Sequence, residues 1–264
     1  MLTNAPVPTK WKPGNACRWR FPAVIAFVAA LVLAQSAEAA SEFRLSSGGT
    51  YTRGDYGTDT TMSVWNVPVT ARYRNGPLVA RVTVPYMQIT RSGAEGSHRA
   101  SGVGDILTSL RLRLIRQGRW HPEVAITGQV SFPTADEDLG LADERVYYGQ
   151  IDLGKSLGNR HYLFGSLGYQ TRRDRNDDDR RYEERFYGST GLDYRFTART
   201  SGGAIVSVRQ PWTAQAADQS SGVMAIPYVS NRLGDNWRLQ TYGIIGLSTA
   251  SPDWGAGMSV GHSF

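Results

Sequence analysis

Large apolar residues recur at every second position over most of this chain. In "TTMSVWNVPVTARYR" Trp65, Val67, Val69, Ala71 and Tyr73 share one face, and in "PLVARVTVPYMQIT" Leu78, Ala80, Val82, Val84 and Tyr86 do the same. "GDILTSLRLRLIR" sets Ile106, Leu110, Leu112 and Leu114 against Asp105, Ser109, Arg111 and Arg113. "HPEVAITGQVSF" sets Val124, Ile126 and Val130 against Glu123, Thr127 and Gln129. Successive side chains of a strand point to opposite faces, so this period predicts strands, and helical spacing fits none of these stretches as well. Twelve such segments lie near 42–53, 60–74, 77–90, 103–116, 121–132, 146–157, 161–172, 185–197, 200–210, 222–232, 236–249 and 253–264. Their length exceeds the usual five or six residues of a soluble strand and meets the roughly 9–11 residues that a tilted strand needs to cross a bilayer.

The connections narrow the fold. "RNGP", "RQGRW", "LGNRH", "TARTS" and "RLGDNW" are tight turns, and between them lie "RSGAEGSHRASG", "PTADEDLGLADER", "RRDRNDDDRRYEE" and "QPWTAQAADQSSG". A soluble sandwich has no reason to sort loops by parity, whereas an outer-membrane barrel has short periplasmic turns and longer outer loops. The prediction is all-β: a transmembrane antiparallel up-and-down β-barrel of about twelve strands. With the short turns in the periplasm, Trp65, Tyr86, Tyr147, Tyr169 and Trp254 fall near the outer rim of the apolar face. Tyr73, Tyr194, Phe196, Trp237 and Phe264 fall near the inner rim. Two aromatic girdles are what the bilayer interfaces favour. In the last strand Trp254, Ala256, Met258, Val260 and Phe264 would meet lipid, while Gly255, Gly257, Ser259, Gly261 and Ser263 face inward.

The start of the chain agrees with export. Lys10, Lys12, Arg18 and Arg20 precede the apolar "FPAVIAFVAALVLA", and Ala37 and Ala39 supply the small residues of a cleavage site. Fourteen apolar residues are too few for a helix that needs about 20 to span a membrane. Residues 1–39 are therefore expected to be a cleaved signal peptide, and residues 40–264 a single barrel domain in the outer membrane of a Gram-negative cell. Removing four basic residues and Glu38 takes the net charge from +6 to 6 − 4 + 1 = +3, which weakens any case for nucleic-acid binding. The one cysteine, Cys17, leaves with the signal, so disulfides and cysteine metal sites are excluded from the mature chain. Expected partners are outer-membrane lipid, lipopolysaccharide and, through the terminal strand ending in Phe264, the barrel-assembly machinery.

The inward positions carry the candidate chemistry. Arg72, Arg74, Arg81, Arg111, Arg113, Arg195, Arg209 and Arg238 face inward by this register, with Asp105, Glu123, Asp152 and Asp193 opposing them. Lys155 is the only lysine after the signal, so nearly all the positive charge is guanidinium, which grips carboxylates and phosphates bidentately. Two readings stand: an anion-selective lumen, or a network of internal ion pairs that fills a narrow barrel. No His, Ser and carboxylate combine as a triad, no two histidines have metal-ligand spacing, and no helix follows "SGVGD" to make it a phosphate loop. Asp174, Asn176 and Asp178 match the first ligands of a calcium loop, but Asp179 stands where glycine is required and Arg185 where the bidentate Glu belongs. Catalysis, cofactors and metals are not expected.

"SGVGDILTSLRLRLIR", "PEVAITGQVSFPTADEDLG" and "IDLGKSLGNRHYLFGSLGYQ" resemble the outer-membrane proteins of the MetA-pathway phenol-degradation family, described as transporters. The motifs that carry the resemblance are Gly102–Val103–Gly104–Asp105 entering a strand and Phe132–Pro133–Thr134 closing the next, mainly within residues 100–170. The resemblance implies passage of small, aromatic or apolar compounds across the outer membrane and carries over no defined binding residues. The arginine-rich interior suits an apolar solute poorly. It keeps open a channel for acidic solutes or oligosaccharides, and a structural or surface barrel that transports nothing.

Overall fold

A strand with one apolar and one polar face can satisfy both lipid and water, and a closed ring of such strands leaves no unpaired backbone edge. The chain folds in this way. A computed structural model describes residues 41–94, 96–139, 144–173, 182–210 and 221–264, and the expected signal at 1–39 lies outside them. The strands are β1 (Glu42–Gly54), β2 (Thr61–Asn75), β3 (Leu78–Gly93), β4 (Gly96–Val103), β5 (Ile106–Ile115), β6 (Glu123–Phe132) and β7 (Val146–Leu157). They continue as β8 (His161–Arg173), β9 (Tyr182–Arg195), β10 (Thr200–Arg209), β11 (Gly222–Leu233), β12 (Trp237–Gly246) and β13 (Trp254–Ser263). Every pairing is antiparallel between neighbours, and β1 pairs with β13 from Arg44↔Ser263 to Arg53↔Trp254, which closes the ring. Phe264 completes the seam by donating its N–H to the Phe43 carbonyl at 2.8 Å.

Twelve strands make the wall, and β4 is an addition. β3 pairs with β5 over Leu78–Thr83 and with β4 over Tyr86–Gly93, so β4 and β5 lie end to end on the same side of β3. The stretch "RSGAEGSHRASG", expected to be a long loop, is instead mostly a hairpin that lengthens the wall. On its outward face the paired side chains, Thr90 with Arg99 and Ser92 with Ser97, are polar, and only the inward pair Ile89 with Ala100 is apolar and buried. A hydrophobic alternation cannot reveal such a hairpin, because one apolar pair is too short to set a period. The single strand expected over 103–116 is broken at Gly104–Asp105. There Gly104 donates its N–H to Pro85 at 2.8 Å, and Pro85 faces Pro68 across β2–β3, so neither of that pair gives a ladder donor.

The outer surface carries the apolar half of each alternation, with Val82, Leu110, Ile151 and Leu167 between 45% and 65% exposed. Aromatic rings gather at both ends of it. Tyr51 sits between Trp65 and Trp254, with ring centroids 5.0 and 5.4 Å away, and Tyr169 lies 5.4 Å from Phe186. At the short-turn end Phe43, Phe264, His262 and Trp237 form a continuous chain of rings. The tight turns work through glycine: Gly76, Gly158 and Gly234 have φ of 54°, 69° and 74°, which a side chain would resist. Lys155 braces the β5–β6 turn by donating to the carbonyls of Gly118, Arg119 and His121 at 2.6, 2.8 and 3.2 Å.

Among the long loops, the one after β6 folds over the interior face. Its 3-10 turn, Glu137–Leu139, buries Leu139 completely against Ile89 and Ala100, with Met62, Val64 and Met87 around them. The central parts of the next two long loops, 174–181 and 211–220, lie outside the described residues. Asp174, Asn176, Asp178 and Asp179 of the calcium-like pattern lie there too.

Candidate functional site

The interior face at the short-turn end is dominated by guanidinium. Strand register places Arg44 opposite Arg72, and Arg72 opposite Arg81, so three arginines stand in a row across β1, β2 and β3. Like charges directly opposite one another are unfavourable by themselves. Arg44 is neutralised by Glu42 at 2.8 Å, and Arg74 reaches the same carboxylate at 3.9 Å. Arg72 and Arg81 have no ion pair among the described residues, and Arg72 Nε is buried without a hydrogen bond.

On β5 the arrangement differs. Arg111 binds Glu123 at 3.0 Å and Asp152 at 3.3 Å, and Arg113 lies 3.8 Å from Glu123. Thr127 also donates to Asp152 at 2.7 Å, and Gln150 donates to its other oxygen. Both readings of the arginines thus have a physical counterpart: Arg111 and Arg113 belong to a neutralised network, while Arg72 and Arg81 do not. Across the lumen Arg232 and Arg238 are direct cross-strand partners. Asp193 lies near them and accepts the Tyr228 hydroxyl at 2.8 Å. Arg195 joins them at the rim of the same cavity, whereas Arg209 lies toward the other end, near Arg185 and Tyr148.

Asp105, expected to oppose the arginines, makes no ion pair among the described residues. It belongs to a clasp between the two sequence motifs. Its Oδ1 accepts the Ala135 N–H at 3.2 Å and its Oδ2 the Ser131 hydroxyl at 3.4 Å. Thr134 accepts the Ile106 N–H through Oγ1 at 3.0 Å. Pro133, with no N–H of its own, leads the chain into that contact. Asp136 closes it, accepting the Val103 N–H at 2.9 Å and donating its own N–H to Val103 at 3.1 Å. A side chain on Gly102 would run into the Asp136 carboxylate, and one on Gly104 would come within 2.9 Å of Met87 Sδ. Gly102, Gly104, Asp105, Pro133 and Thr134 therefore stitch the inward loop to the break between β4 and β5.

Sequence reasoning followed charge and missed the inward-facing aromatics. Tyr148, Tyr162, Phe164, Tyr187, Tyr228 and Tyr242 share the parity of the lumen positions. Four of them lie over glycines of the wall: Tyr162 over Gly154, Tyr187 over Gly168, Phe164 over Gly191 and Tyr242 over Gly257. Three of these glycines are the direct cross-strand partners of the rings they carry. This explains the bare inner face of β13: Gly257 leaves room for the Tyr242 ring, whose hydroxyl meets Thr50 at 2.5 Å. The signal was present as Tyr–Tyr at 147–148 and as Gly168 and Gly191 on inward parity. Among the described residues no three His, Cys, Asp or Glu side chains gather as a metal site.

Comparison with solved structures places this barrel among outer-membrane proteins by fold. The COG4313 outer membrane channel from Pseudomonas putida F1 superposes with a TM-score of 0.72 at 14% identity, over 87% of this chain and 98% of that one. The translocator domain of the autotransporter NalP from Neisseria meningitidis gives 0.53 at 12% identity, over 92% and 96%. The β domain of the Bordetella autotransporter BrkA gives 0.51 at 12%, over 86% and 100%. No curated protein sequence matches. The family described as "Putative MetA-pathway of phenol degradation" matches residues 32–264, nearly the whole chain, and the chain belongs to it.

Proposed function

We propose that this barrel sits in the outer membrane and passes small aromatic molecules across it. The observation that carries the reading is the inner wall: six aromatic side chains on β7, β8, β9, β11 and β12 face the lumen, and guanidiniums on β1, β2 and β3 continue the wall. Aromatic faces bind planar solutes weakly and repeatedly, which suits passage better than retention, and the polar remainder keeps the lumen wet. The family to which the chain belongs and the channel it resembles support the same reading. Export through a cleaved signal, contact with lipopolysaccharide and delivery by the assembly machinery belong to this proposal. Liposomes containing the purified barrel test it: phenol-sized aromatic solutes should equilibrate faster than aliphatic solutes of equal size. Equal rates with and without protein overturn it.

A second reading is favoured by one specific observation, the row Arg44–Arg72–Arg81. A low-dielectric wall focuses the field of such a row and raises the local concentration of anions. The reversal potential of single channels in a salt gradient decides whether the barrel prefers anions.

A further inference from the structure

We propose that the lumen holds a binding site for a small aromatic monocarboxylate, in the cavity between β8 and β12 at the short-turn end. The inference rests on the reading that solutes enter the lumen. The cavity has a volume of about 490 Å³, within the range of small-molecule sites. Its two halves differ in chemistry, and one ligand class needs both.

The first half is cationic. Arg195, Arg199, Arg232 and Arg238 line it against a single acid, Asp193. Arg232 and Arg238 are direct cross-strand partners, and neither side chain has a hydrogen bond or ion pair among the described residues. Two opposed guanidiniums with no carboxylate between them repel, and an anion joining them removes that repulsion. The planar fork of guanidinium matches a carboxylate in two parallel hydrogen bonds. Asp193 does not fill this role: among the described residues it makes no ion pair with either arginine, and the Tyr228 hydroxyl holds its Oδ1 at 2.8 Å.

The second half is aromatic. Tyr162 and Phe164 line the same cavity, their rings stacked with centroids 6.0 Å apart and planes 25° apart. Each is laid against the wall by a glycine, Tyr162 by Gly154 and Phe164 by Gly191. A free inorganic anion would use the arginines and leave the rings idle, and an uncharged aromatic would do the reverse. A benzene ring carrying one carboxylate engages both.

The test titrates the full-length barrel in detergent by calorimetry with benzoate, cyclohexanecarboxylate and phenol. Benzoate is expected to bind at least about tenfold more tightly than either, since each lacks one half of the interaction, and tenfold corresponds to one modest contact. The double variant Arg232→Gln/Arg238→Gln should weaken benzoate about tenfold and leave phenol unchanged. Tyr162→Leu should remove the preference for benzoate over cyclohexanecarboxylate. Retained heat-modifiable mobility on gels confirms that the variants fold, and the wild-type ligand series decides the matter even if they do not. Equal affinity for benzoate and cyclohexanecarboxylate overturns the site, as does a folded double variant that binds benzoate like wild type. Phenol flux in liposomes separates this from the broader reading. Flux without benzoate preference sinks the site alone, and benzoate preference without flux sinks the channel and leaves a binding barrel.

Discussion

Val103 and Asp136 hold each other twice: the Val103 N–H donates to the Asp136 carboxylate at 2.9 Å, and the Asp136 N–H donates to the Val103 carbonyl at 3.1 Å. Val103 lies in the Gly102–Asp105 motif and Asp136 two residues beyond Phe132–Pro133–Thr134, and between them they close the loop after β6 onto the wall. Asp136→Ala leaves one amide unpartnered, at a cost of about 1 kcal/mol. Gly102→Ala drives a methyl group into the carboxylate and should cost more, about 1–3 kcal/mol. Both should raise the rate of proteolysis within 133–145 while the barrel keeps its heat-resistant mobility. An unchanged cleavage rate in both variants would show that the clasp does not hold the loop.

The arginines should divide by partner. Arg111→Ala leaves Glu123 with Arg113 alone and Asp152 with no paired cation, in a partly wet interior, so the loss should be about 1–3 kcal/mol, below the range for a fully buried pair. Arg72→Ala and Arg81→Ala remove no ion pair and relieve a like-charge contact. They should leave stability level or slightly raised while moving ion selectivity toward cations. Denaturant melts and bilayer recordings on the same proteins would separate the two classes, and a selectivity change in Arg111→Ala alone would reverse the assignment.

Interior glycines should be far less replaceable than outward ones. A Cβ on Gly257 would lie 2.5 Å from Tyr242 Cζ, whereas one on Gly128 or Gly149 meets nothing within 4 Å. Gly257→Ala is expected to destabilise the barrel by about 1–3 kcal/mol through the displaced ring. Gly128→Ala and Gly149→Ala should be near neutral, and urea midpoints of the three proteins check this ordering.

Lipid exposure gives a contrast across one strand pair. Val82 is 45% exposed on the outer face, and an arginine there should cost about 2–4 kcal/mol if it lies at mid-bilayer. Gln at Ser109, on the inward parity beside Arg81, should be tolerated. Equal yields of folded barrel from both variants would contradict the assigned faces.

Topology can be read by labelling. A cysteine at Ser97, in the β3–β4 hairpin, should react with an impermeant thiol reagent on intact cells, and one at Gly76 or Asn159 should not. The opposite pattern would invert the barrel.

Alternation, turn chemistry and loop parity determined the class of fold, the strand positions to within a few residues at most ends, and the face each side chain takes. Those are local properties: a two-residue period sorts side chains whatever their neighbours are, and glycine at a tight turn answers to its own φ. Tertiary structure decided everything that depends on which strands meet. The β3–β4 hairpin is polar on its outward face, and its inward apolar pair, Ile89 with Ala100, is buried only because the distant Leu139 folds onto it, so no sustained apolar period marked it. Whether an inward arginine is neutralised depends on register, which gives Glu123 and Asp152 to Arg111 and gives Arg72 only other arginines. Asp105 carried the right parity for the lumen and was claimed by a loop thirty residues away. The inward tyrosines became legible only when the glycines beneath them were paired across the strands, because a ring and the space it occupies come from different parts of the chain.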